Sequence, residues 1–239
     1  MINNPEWLFK CSEVCELLYG VYPLEILKSL YALKENDELN IKDINELFIE
    51  TSTPYQVQDE IYDDYQKLGY KKGVVTPLMY SKKTLEDLKA IPSLFDDPSE
   101  LLHTDEDELY RLLKIQGTIP FFVPNLSQIE DLLEDGYIFN NSLKRLEQIL
   151  KKEHKDDIGY IFKKICYGID IRELVKGILP TINIKNTDDI NEVNSYVSII
   201  DDVYINNNQR KYRGYSFKQI NSLNQKVIIP AMTKSDYLS

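Results

Sequence analysis

Six positions in one short stretch carry side chains able to grip a charged, ring-bearing ligand: Asn207, Arg210, Lys211, Tyr212, Arg213 and Tyr215. From Val203 to Ser235 the chain adds the cations Lys218, Lys226 and Lys234 and the rings Tyr204 and Phe217, with no acid. Cations neutralise phosphates and aromatic faces stack on unpaired bases, so the pattern suits a single strand or an RNA loop. The same residues also suit a structural corner. Gly214 lacks the β-carbon that resists a positive φ, asparagine amides can satisfy the backbone groups of a turn, and an arginine fork matches a carboxylate. On that reading Arg210 and Arg213 pair with acids of the first half of the chain and tie its two halves together. We expect the corner.

Other chemistry is harder to find. The two histidines, His103 and His154, have no Ser, Cys or Asp in a nucleophile context, and no G-x-S-x-G elbow occurs. No P-loop, G-x-G-x-x-G or H-E-x-x-H run is present. The cysteines are three, an odd number with no C-x-x-C pair, which argues against a disulfide framework or a zinc ribbon. Cys11 and Cys15 are one helical turn apart among apolar residues and read as small core side chains. The acidic run Asp105-Glu106-Asp107-Glu108 complements a helix N-terminus and lacks the glycine bend of a calcium loop. No cofactor and no metal are expected. An enzyme built on scattered carboxylates stays open as an alternative.

Charge separates the halves. Residues 1–120 hold 12 Lys/Arg against 23 Asp/Glu, whereas residues 121–239 hold 16 of each, so the whole excess of −11 is in the first half. Such a half repels a phosphate backbone within the ~8 Å screening length of physiological salt. No apolar run reaches the roughly 18 to 20 residues that cross a bilayer. The start Met1-Ile2-Asn3-Asn4-Pro5-Glu6 lacks the basic and apolar regions of a secretory signal. A cytoplasmic location is expected.

The elements that must position the basic stretch are helical. A first helix is expected over residues 7–19, capped by Gly20; a second follows Pro23 with Leu24, Leu27, Leu30 and Tyr31 on one face; a third covers residues 41–50. A helix over 56–68, a turn at 69–73 and an extended run over 74–80 complete a winged-helix-like outline. Its third helix offers one base, Lys42, against three acids, so it reads as scaffold and not as a DNA reader. Residues 84–117 read as a connector. Beyond it, Ser127 and Glu130 have capping-box spacing. Residues 142–153, 157–167 and 171–179 are amphipathic, and Thr187 is placed to cap a long helix facing inward through Ile190, Val193, Val197, Ile200 and Tyr204. The fold class is therefore mainly α. A winged-helix-like helical subdomain spans 1–83, and an irregular helical bundle with a basic C-terminal segment spans 118–239.

Four segments in order carry a family likeness. They are Leu17-Leu18-Tyr19-Gly20-Val21-Tyr22-Pro23; Phe121-Phe122-Val123-Pro124-Asn125 with Glu134-Asp135-Gly136-Tyr137; Ile190-Asn191-Glu192; and Asn206-Asn207-Asn208-Gln209-Arg210 with Arg213-Gly214-Tyr215-Ser216. Together they resemble the helical region of SEC-C (YecA-like) motif-containing proteins, mostly from Firmicutes. The chain departs from that pattern in having no cysteine beyond Cys166, so the zinc-binding SEC-C motif is absent. Lys211 or Tyr212 stands where the family has tryptophan. The resemblance implies an all-helical body without an established activity, and richness in Asn, Ile and Lys suits a low-GC bacterium or its phage or mobile element. Acidity and abundant tyrosine point to a non-enzymatic adaptor or regulatory protein that binds another protein. The alternative is nucleic-acid binding through residues 204–226.

Overall fold

The computed structural model describes residues 2–36, 39, 40, 42–44, 46, 47, 55, 56, 78–80 and 120–223. These are mainly helical. Helix α1 (Pro5–Tyr19) begins where the Asn4 side chain accepts a hydrogen bond from the Trp7 amide at 3.0 Å, with Pro5 in the first turn. It ends at Gly20, whose φ of 72° a side chain would resist. Its inner face buries Leu8, Cys11, Cys15 and Leu18. Each such Leu contributes about 1.5 to 3 kcal/mol by leaving water.

Two residues later the chain forms strand β1 (Tyr22–Pro23), and Pro23, extended at ψ 148°, opens α2 (Leu24–Tyr31). Helical turns follow at 42–44 and 46–47, burying Ile44. Strands β2 (Tyr55–Gln56) and β3 (Leu78–Tyr80) complete a small antiparallel sheet in the order β1-β3-β2, with Tyr22 opposite Met79. Residues 78–80 of the extended run expected over 74–80 are in a strand, whereas β1 is not anticipated by the sequence reading. Gln56 is in a strand, not at the start of a helix; the rest of that expected helix, the turn at 69–73 and the connector at 84–117 lie outside the described residues.

In the second half, α3 (Leu126–Glu134) is capped by Asn125 and Gln128, not by Ser127 and Glu130. Each of the first pair accepts from the other's amide at 3.0 Å, while Glu130 pairs with Lys34 of the first half at 3.2 Å. Asn140 caps α4 (Asn141–Ile149) through the amides of Ser142 and Leu143. A 3-10 turn (Lys152–Asp157) leads to α5 (Ile158–Tyr167), closed by left-handed Gly168, and Asp170 caps α6 (Ile171–Ile178). The long helix α7 (Ile190–Asn206) is capped by Asp189, not Thr187, and its first residue, Ile190, is 71% exposed. The buried face of α7 is Ile200 and Val203. A last helix, α8 (Phe217–Leu223), follows residues 207–216.

One hydrophobic cluster runs through both halves, from Trp7 and Leu27 to Phe162, Leu174 and Val203. Helix α1 is its shared wall, in contact with α2, α3 and α5. Among the described residues, no helix is long and apolar enough to cross a membrane.

Candidate functional site

After α7 the chain folds back on itself in ten residues. The Asn207 amide donates to the Val203 carbonyl, and its oxygen accepts from the Asn140 amide at 2.8 Å, so one contact ties the end of α7 to the cap of α4. Asn208 pairs with Ser216 in an isolated antiparallel bridge, and its side chain donates to the Gly214 carbonyl. The Gln209 amide donates to Tyr215 O at 3.1 Å, and Gly214 returns a bond to Gln209 O at 3.1 Å. Between them Arg210–Tyr212 makes a 3-10 turn, and Arg213 (φ 52°) and Gly214 (φ 81°) are both left-handed. A left-handed arginine costs about 1 to 2 kcal/mol, which the contacts of its side chain and carbonyl must offset.

Those contacts reach across the molecule. Arg210 is fully buried; its Nη2 donates to Glu16 O at 2.8 Å, and its Nε is shared between Glu16 O at 3.1 Å and Leu17 O at 3.3 Å. Its guanidinium lies 4.0 Å from the Tyr167 ring centre. Arg210 thus ties the two halves together through the last carbonyls of α1, which carry the negative end of that helix dipole. Arg213 is also buried, its guanidinium 4.8 Å from the Phe121 ring centre, and its carbonyl accepts from Phe122 N at 3.0 Å. Tyr19 Oη donates to Phe122 O at 2.5 Å. A β-carbon on Gly214 would come within 2.6 Å of Tyr19 Cε1.

Of the six singled-out residues, then, Asn207, Arg210 and Arg213 are inside the protein. Lys211, Tyr212 and Tyr215 are half-buried. Lys211 Nζ lies 3.4 Å from Tyr204 Oη. Burial pushes the Tyr212 hydroxyl up to about 12. The Tyr212 ring packs on Phe217 and the Tyr215 ring on Phe122. These rings stack on protein partners. Burial also raises the Cys11 thiol to about 12 and those of Cys15 and Cys166 further, so none is a poised nucleophile.

A second feature escaped the sequence reading. A groove of about 660 Å³ lies between the C-terminal half of α1, the end of α3 and the outer face of α5. Leu17, Leu132 and Leu133 supply its apolar lining, and Glu13, Glu16, Glu134 and Asp135 its carboxylates, against one cation, Lys163. Among the described residues, none of the four carboxylates is in an ion pair. A smaller hollow of about 380 Å³ shares Leu133 and Glu134 and extends toward Asn4 and Trp7, where Lys10 and Lys34 are paired with Glu6 and Glu130. The clasp and the groove meet: Glu16, Leu17 and Tyr167 line the groove and also hold Arg210. The available sequence signal is the placement of acids at helix C-termini. The last turns of α1 and α3 hold Glu16 and Glu134 and no base, against the preference of the dipole.

Residues 17–23 and 121–122 both touch the clasp, residues 134–136 line the groove, and residues 190–192 lie apart on α7. No family model matches the chain, and no solved structure matches it. The chain is similar to leucine–tRNA ligase 2 of Saccharolobus solfataricus, 23% identical over 118 residues. That match takes in 49% of this chain and 11% of the ligase, so the chain covers about a tenth of that protein's length.

Proposed function

We propose that this chain is a non-enzymatic helical protein that binds another protein, an adaptor or regulator. The observation that supports this reading best is the fate of its arginines. Arg210 and Arg213, the strongest phosphate ligands of the basic stretch, are buried against helix carbonyls and rings of the protein itself. What remains toward solvent around α1 and α3 is dominated by carboxylates. A phosphate backbone is repelled by such a surface, whereas a protein partner is not. The test is fluorescence anisotropy with labelled duplex DNA, single-stranded DNA and RNA at ~150 mM salt. We expect no binding below micromolar concentrations. A sub-micromolar dissociation constant that is lost in Lys211→Ala would overturn the reading.

Nucleic-acid binding is the second reading. Lys211, Tyr212 and Tyr215 keep part of their surface, and the partial similarity is to a protein named as a tRNA ligase. The RNA arm of the same titration decides between the two.

A further inference from the structure

We infer that the groove between α1, α3 and α5 is a docking site for a basic amphipathic segment of a partner protein. The inference deepens the interaction reading above and rests on it. Two features carry it. The groove pairs an apolar lining, Leu17, Leu132 and Leu133, with four carboxylates that have no ion pair among the described residues. Of the acids outside the groove, Glu6, Glu130, Asp202 and Glu173 each hold a cation within 3.2 Å. The second feature is the ends of the helices. Glu16 and Glu134 occupy last turns, where the dipole already places negative charge and a base would be stabilising.

Such a site attracts positive charge, and its leucines reward apolar side chains on the same ligand. A helix with Leu-type residues on one stripe and Lys or Arg beside them satisfies both demands, the helix-in-groove mode of recognition. An anionic lipid or a nucleic acid fails the demand for positive charge. Arg210 underlies the site as a positioning residue, since it holds the Glu16 and Leu17 carbonyls and the Tyr167 ring in place from inside.

The test is calorimetric titration of the full chain with a synthetic peptide of about 14 residues, roughly 20 Å as a helix, with leucines at helical spacing and lysines elsewhere. A peptide of the same composition, scrambled to break the stripe, is the control. We expect the amphipathic peptide to bind at ~150 mM salt at least ~10-fold tighter than the scrambled one. The double variant Glu13→Lys/Glu134→Lys should weaken binding by ~10-fold or more, and Glu173→Lys on α6 should change it less than ~2-fold. Unfolding does not confound the variant, because a lysine in the last turn of α3 suits the dipole; a melting curve checks it. Equal binding of both peptides, or no binding up to ~1 mM, overturns the groove assignment. Binding that ignores the double reversal overturns the groove but leaves the interaction reading standing; sub-micromolar RNA binding overturns that reading itself. A dimer seen in sedimentation and abolished by the reversal assigns the groove to a second copy of this chain, and the basic-partner assignment then fails.

Discussion

The clasp at residues 207–216 and the groove beside it share Glu16, Leu17 and Tyr167, yet they treat charge in opposite ways. In the clasp, two cations are withdrawn from water, Arg210 against carbonyls and a ring and Arg213 against a ring. In the groove, four carboxylates face solvent without ion pairs among the described residues, some at helix ends that disfavour them. Buried charge that is hydrogen-bonded reports architecture, because breaking it leaves unsatisfied groups in a low-dielectric interior. Exposed charge placed against local electrostatics contributes nothing to folding, so its explanation lies outside the fold. The contrast shows why an arginine-rich, tyrosine-rich sequence is a poor guide to a binding surface until burial is known.

The largest effect should come from alkaline pH, which strikes the wall common to both regions. Burial raises Cys11, Cys15, Tyr19 and Tyr22 above their ordinary values of 9.0 and 10.0, so each holds its proton more tightly when folded. Their contribution is fully present below pH ~9 and lost above it, at about 1.4 kcal/mol per group for each unit past its unfolded pKa. Urea midpoints should be flat between pH 7 and 8.5 and collapse by about pH 11; an unchanged midpoint at pH 11 would show that this core is open to solvent.

Arg210→Ala comes next, with an expected loss of about 4 kcal/mol by urea denaturation, since it empties a buried site and takes a partner from the Glu16 and Leu17 carbonyls. Gly214→Ala should cost about 3 kcal/mol, because the new methyl meets a Tyr19 ring pinned by its bond to Phe122, at a backbone angle alanine resists. If either change is neutral, the clasp is not structural and the comparison breaks. The groove should behave oppositely. Glu134→Gln and Asp135→Asn should leave stability unchanged or raise it by about 0.3 to 1 kcal/mol, as they relieve charge at the end of α3. A loss beyond 1 kcal/mol in either would mean that these acids serve the fold after all.

The sequence announced the helices wherever periodicity and stop signals agreed. Gly20 and Gly168 ended α1 and α5 as expected, and the stripe from Ile171 to Ile178 buried the residues it should. Caps were less legible where two candidates stood two residues apart. Asn125 and Ser127, or Asp189 and Thr187, are all capping types, and only the backbone path shows which oxygen reaches an amide. Strand β1 is too short for alternation to reveal. The corner at Asn207 and Gly214 was visible through its turn residues, but the bonds from Arg210 to the end of α1 were not, because a helix-end carbonyl has no residue type. The groove draws on residues 13–17, 132–136 and 163–167, which no local window joins.

The bonds from Arg210 to Glu16 span 194 positions, and that from Tyr19 to Phe122 spans 103. On a ribosome adding about 5 to 20 residues per second, roughly 10 to 40 s separate the emergence of α1 from that of the arginine that completes it. Throughout that interval the last carbonyls of α1 lack the bonds that Arg210 supplies, and the early helices must wait as an unfinished nucleus. Closing so long a loop belongs to the final stage of folding. The guanidinium therefore acts mainly as a brake on unfolding: its removal should speed escape from the native state far more than it slows arrival there.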